Sequence, residues 1–105
     1  MKIVINSSLG GFHITRDMAK RISEEIGGPV VDSWKMECNE YFGIKNGHSW
    51  EFRAHPVLVS AVEECVEAGE HVGDLKVIEI PDDAQWAIGE YDGREYVYDI
   101  RHYWE

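Results

Sequence analysis

"KIVINSSLGGFHITRDMAKRISEEIGG", residues 2–28, joins a β-branched apolar run to an amphipathic one through a double glycine, and this junction decides the fold class. Ile3, Val4 and Ile5 suit a pleated, buried surface, so residues 2–6 read as a short strand. Beyond Gly10-Gly11, Thr15 predicts a helix N-cap, and Asp17 falls in the first turn, where an anion suits the helix dipole. Met18, Ile22 and Ile26 recur at i, i+4 and i+8, giving one apolar stripe, and Arg16, Lys20, Arg21, Glu24 and Glu25 fill the rest. Gly27-Gly28-Pro29 stops the helix, with glycine free to take the left-handed cap.

The same signals recur down the chain. Val30-Val31, Trp34, Met36 and Tyr41-Phe42 suggest one or two strands, and Asn46-Gly47 predicts a hairpin between residues 41–44 and 49–53. Pro56 opens a second helix at its first turn. There Leu58, Ala61 or Val62, Cys65 and Ala68 face inward, while Glu63, Glu64, Glu67 and Glu70 face water. Residues 75–81 form a strand, and Asp82-Asp83 begins a turn. Residues 86–91 and 94–101 form a hairpin around Asp92-Gly93, which sets Ile88 against Val97, Gly89 against Tyr96 and Ala87 against Tyr98. Tyrosine rings thereby cover bare glycine backbone. The expected architecture is α+β: a single domain, residues 1–105, with an antiparallel or mixed sheet of about four to six strands and two helices packed on one face.

Charge is unevenly placed. Residues 1–59 hold seven acids and seven bases, whereas the last 46 residues hold thirteen acids and three bases and so carry the whole net charge of −10. Such a field repels phosphate backbones and acidic lipids and attracts basic protein surfaces, which argues against direct nucleic-acid or membrane binding. Two cysteines, Cys38 and Cys65, make neither a zinc frame nor a disulfide-dense scaffold, and free thiols suit the cytoplasm. Met1-Lys2 is followed by only three apolar residues, too few for a signal peptide. Trp34 and Trp50 leave room for an exposed apolar patch and a homodimer.

Three stretches carry a resemblance: "IVINSSLGGFHIT" (residues 3–15), "FRAHPVLVSAVEECVEAGE" (52–70) and "LKVIEIPDDAQWAIGEYDGREYVYDIRHYW" (75–104). Together they resemble a small family of phage and prophage proteins. Its members have a strand ending in Ile-Asn, then Gly-Gly-Phe and a Ser/Thr-capped helix. They close with an Ile-Pro-Asp-Asp segment, a Tyr-Asp-Gly turn and a basic pair before Trp. The matching positions are Gly10, Gly11, Phe12, Thr15, Arg53, Pro56, Asp82, Asp83, Tyr91, Asp92, Gly93 and Trp104. The family order of His then Arg is reversed here as Arg101-His102, and strand alternation turns these side chains to opposite faces. The resemblance implies origin and fold, and with them the cytoplasm of a host cell as the setting; it brings no activity.

Little of the sequence looks like chemistry. Gly10-Gly11 at a helix start resembles a phosphate cradle, yet no lysine follows in the loop and neither standard glycine-rich spacing is present. As a ligand site it would take an anionic small molecule, such as a nucleotide, with Phe12, Arg53, Arg101, His102 and Trp104 completing the pocket. No His pair has metal-ligand spacing, so neither metal nor cofactor is expected. Asp82-Asp83 are adjacent and point apart, a poor acid/base couple, and Cys65 sits among glutamates that raise a thiol pKa. The reading is therefore a non-enzymatic accessory protein that binds and inhibits or modulates a host protein with a basic surface, counter-defence being one such role. Its acidic face would comprise Glu63, Glu64, Glu67, Glu70, Glu90, Asp92, Glu95 and Asp99.

Overall fold

The computed structural model describes residues 1–70 and 72–100. Strand β1 (Lys2–Asn6) leads through the Gly10-Gly11 loop to helix α1 (Arg16–Ile26). A short helix α2 (Ser33–Met36), a 3₁₀ turn (Glu51–Ala54) and helix α3 (Pro56–Glu67) follow, then strands β2 (Leu75–Glu79), β3 (Trp86–Tyr91) and β4 (Arg94–Asp99). The class is α+β. The expected single sheet of four to six strands is instead two antiparallel pairs, β1–β2 and β3–β4.

Alternation along β1 explains the split. Val4, with Leu75 of β2, enters a large core with Met18 and Ile22 of α1, Leu58 and Val62 of α3, and the outlying Met36, Phe42 and Phe52. Ile3 and Ile5 point the other way, into a smaller core with Trp86 and Ile88 of the hairpin, flanked by Ile78 and Val97. The β1–β2 pair is thus buried on both faces, with α1 and α3 on one side and the hairpin on the other. Each fully buried Ile, Leu or Met side chain contributes about 1.5–3 kcal/mol.

The capping signals hold. Thr15 Oγ1 accepts the Met18 N–H at 3.3 Å. Gly27 takes φ 83° and donates its N–H to Ser23 O at 2.8 Å. Pro56 is the first residue of α3, and His55 Nδ1 accepts the Val57 N–H at 3.2 Å. Leu58, Ala61, Val62 and Cys65 are buried as expected, while Ala68 is exposed. The hairpin register is as expected, with Ala87 opposite Tyr98, Ile88 opposite Val97 and Gly89 opposite Tyr96. Asp92 (φ 55°) and Gly93 (φ 91°) supply the two left-handed residues of the turn.

The middle of the chain departs from expectation. Asn46 takes φ 61° and the chain bends there, but Gly47 is not left-handed and no strands flank it. The side chain of Asn39 donates to His48 O and accepts the Phe52 N–H at 2.8 Å, holding the two limbs as a loop. Phe42 and Phe52 stack with centroids 6.0 Å apart inside the large core. Aromatic burial, served by irregular backbone, displaces the hairpin that Asn46-Gly47 predicts.

Candidate functional site

In the β1–β2 ladder, Ile80 N–H bonds Met1 O and Ser7 N–H bonds Asp74 O. Given the register Val4–Val77, the backbone groups of Met1, Ile3, Ile5 and Ser7 therefore face β2, and those of Val4 and Asn6 face outward. One outward group of each residue is met by a side chain. Arg53 Nη1 donates to Val4 O at 3.3 Å, and the Asn6 N–H donates to Glu95 Oε1 at 2.8 Å. Arg53 and Glu95 pair with each other through two bonds, 2.6 and 2.8 Å. One bidentate ion pair thus stands where a third strand would lie, and ties the 3₁₀ turn and β4 to the free edge of β1.

This pair changes two site assignments. Glu95 is not part of an outward acidic face: its side chain is 7% exposed, and that of Arg53 is 6% exposed. Arg53 cannot reach out to an anion, since its guanidinium serves Glu95 and lies 3.5 Å from the centroid of Phe12. Phe12 in turn packs edge-on against Phe52. Within the same interior lies Glu37, just past α2, whose Oε1 is buried with no hydrogen-bond partner among the described residues. Burial pushes its carboxyl up to about 7, against the pull of Arg53, His13 and the Ile14 backbone amide, with Glu95 adding to the rise.

Gly10 (φ 113°) and Gly11 (φ 83°) make a tight joint. A Cβ on Gly93 would fall 2.5 Å from Gly11 N and 2.7 Å from Gly10 N, so the amides that a phosphate cradle needs abut the Asp92-Gly93 turn. The Asn6 side chain fastens this joint, donating to Ser8 O and Gly93 O. The remaining members of the expected pocket, Arg101, His102 and Trp104, lie outside the described residues, as does His71.

The other carboxylates divide by face. On α3, Glu63 pairs with Lys2 at 2.9 Å, whereas Arg21 approaches Glu64 at 3.7 Å and Glu70 at 3.5 Å. Such surface pairs are worth at most about 1 kcal/mol. Glu67, Asp74, Glu79, Asp83, Glu90 and Asp92 are exposed and have no ion pair among the described residues. Glu90 and Asp92 belong to the hairpin, across the β1–β2 layer from α3, and Asp99 is half-buried beside Trp86. The single acidic face expected from the sequence is therefore two surfaces. On the α3–β2 side Glu63, Glu67 and Lys76 line a groove of about 530 Å³ floored by Val62, Val66, Leu75 and Val77, and Glu79 lies on the same face of β2 as Val77.

Burial pushes the Cys65 thiol up, and Arg21 Nη1 lies 3.3 Å from its sulfur. Cys38 is a free thiol as well. Trp34 is 67% exposed beside a depression of about 520 Å³ between α1 and α2, while Trp50 packs against the smaller core. Among the described residues no cluster of His, Cys, Asp or Glu is placed to hold a metal, and no helix is long and apolar enough to cross a membrane. Comparison with protein-family models, with curated proteins and with solved structures finds no match.

Proposed function

We propose that this chain is a non-enzymatic accessory protein of phage or prophage type that docks a basic host protein on its α3–β2 side and thereby inhibits or modulates it. The observation that carries this reading is Glu67, exposed and without an ion pair among the described residues, on the rim of a groove with an apolar floor, with the exposed Glu79 on the same face of β2. Carboxylates beside apolar floor suit Lys and Arg, whose aliphatic stems bury while their heads stay charged. The net charge of −10 steers basic surfaces toward the chain from beyond contact range.

The test is capture of host proteins on immobilised chain at 50 and 500 mM salt, alongside a Glu67→Lys, Glu79→Lys variant of verified fold. Basic partners retained at low salt, lost at high salt and lost by the variant support the reading, because exposed charges are screened within about 10 Å at 0.1 M. Partners that bind the variant as well as the parent chain refute it.

A further inference from the structure

The two edges of the β1–β2 sheet are treated differently. The β1 edge is sealed by Arg53 and Glu95. On β2, the same ladder parity turns the backbone groups of Leu75, Val77 and Glu79 outward. The Leu75 N–H reaches Val72 O at 3.4 Å, whereas the N–H and C=O of Val77 and the N–H of Glu79 meet no partner among the described residues. An open row of donors and acceptors is a template for another strand. We propose that the β2 edge is a strand-addition site for an extended, basic segment of the partner protein. The proposal rests on the docking function above and specifies how the partner is held.

Charge and side-chain direction choose the occupant. Val77 and Glu79 point to the α3 side of the sheet, where Val62 and Val66 extend the apolar floor and Glu63 and Glu67 stand on its rim. Of the bases on this side, Lys2 is already paired with Glu63, and Lys76 borders the groove from β2. A residue added opposite Val77 sends its side chain into this groove, and Arg or Lys satisfies both floor and rim. On the opposite face the added strand meets Lys76 and the half-buried Ile78, which favour an uncharged apolar residue. The fitting segment thus alternates basic and apolar residues. A second copy of this chain fits badly, because two-fold pairing about Val77 brings the Glu63 and Glu67 rims of two chains of charge −10 together.

The probe is the peptide amide Val-Arg-Val-Arg-Val-Arg-Val, with one form N-methylated at the arginines and another at the valines. Binding to the intact chain is read by fluorescence anisotropy at 50 mM salt. In an antiparallel addition the arginine amides face β2, and in a parallel one the valine amides do. Strand addition predicts at least a tenfold loss for one alternate set and less than a twofold change for the other. Equal effects of both sets, or no binding of the unmethylated peptide, overturn it. Val77→Pro, which removes an outward N–H while sparing the β1 ladder, should abolish binding with the far-UV spectrum unchanged. Glu63→Gln with Glu67→Gln should weaken the peptide at least threefold and flatten its salt dependence. If these glutamine changes have no effect, the charge reading fails even where the methylation pattern holds. If they act while both methylated sets bind alike, charge docking stands without strand addition.

Discussion

Replacing Glu95 by Gln keeps an oxygen for the Asn6 N–H but removes the counter-charge from Arg53. Both side chains are less than 8% exposed, and the pair makes two bonds of 2.6 and 2.8 Å. Breaking such a pair from one side strands a buried guanidinium and costs about 3–5 kcal/mol. At roughly 2.1 cal/mol/K per residue, unfolding about 105 residues carries an entropy near 0.22 kcal/mol/K, so a loss of about 4 kcal/mol lowers Tm by about 15–20 °C. Urea melts should give the same loss as a shift in midpoint at constant slope. The double-mutant cycle with Arg53→Met isolates the coupling: the double variant should be about 2 kcal/mol more stable than the two single losses predict, because no lone charge remains. A Glu95→Gln loss under about 1 kcal/mol, or additive singles, would refute the view that this pair seals the β1 edge.

Other substitutions test other joints. Burial holds the Glu37 carboxyl at about 7, above its ordinary value of 4.5, so its contribution is complete below about pH 4.5 and is lost as pH rises through 7. Glu37→Gln, measured by denaturant melts at several pH values, should therefore match the parent near pH 4 and exceed it by about 1–2 kcal/mol at pH 8, solvent screening of the half-buried group reducing the effect; an equal difference at both pH values contradicts the assignment. Gly93→Ala drives a Cβ against the backbone of Gly10 and Gly11 at φ 91° and should cost about 2–3 kcal/mol in a thermal melt. Gly89→Ala meets the far end of the Tyr96 side chain, which is 54% exposed, so its cost should stay below about 1 kcal/mol. Thr15→Ala should cost about 1 kcal/mol through loss of the Met18 N–H acceptor, seen as reduced helicity and Tm.

Local signals were legible and long-range polar ones were not. The strand at Ile3-Val4-Ile5, the Thr15 cap, the Pro56 start and the Asp92-Gly93 register each follow from contacts a few residues apart, and the structure has all of them. The single sheet failed because strand pattern tells which face is buried, not whether its cover is a helix or another hairpin. Asn46-Gly47 misled because that dipeptide specifies a turn, while Phe42 and Phe52 had a core to enter and Asn39 held their loops together. Glu95 was grouped with the exposed acids although it lies on the same hairpin face as Ile88 and Val97, and an acid on an apolar face calls for a buried partner. Arg53, flanked by Phe52 and Ala54 in the buried 3₁₀ turn, was the matching signal 42 positions away.

The Arg53–Glu95 pair also bears on function through geometry. A two-stranded sheet has two edges, and an isolated five-residue pair is marginal unless its faces and edges are covered. Here both faces are covered by packing, and the β1 edge is occupied at Val4 O and the Asn6 N–H by a pair of charged groups that a strand added there would have to displace. A strand that joined this sheet without displacing that pair would join at β2, where Leu75, Val77 and Glu79 turn their backbone groups outward. The ion pair does not touch such a partner, yet it sets which side the partner approaches from. Loosening it by Glu95→Gln at a temperature where the chain stays folded should open a second edge, and the arginine–valine peptide should then bind with a stoichiometry rising from one toward two. A stoichiometry fixed at one would mean that the hairpin, rather than the charges, closes the β1 side.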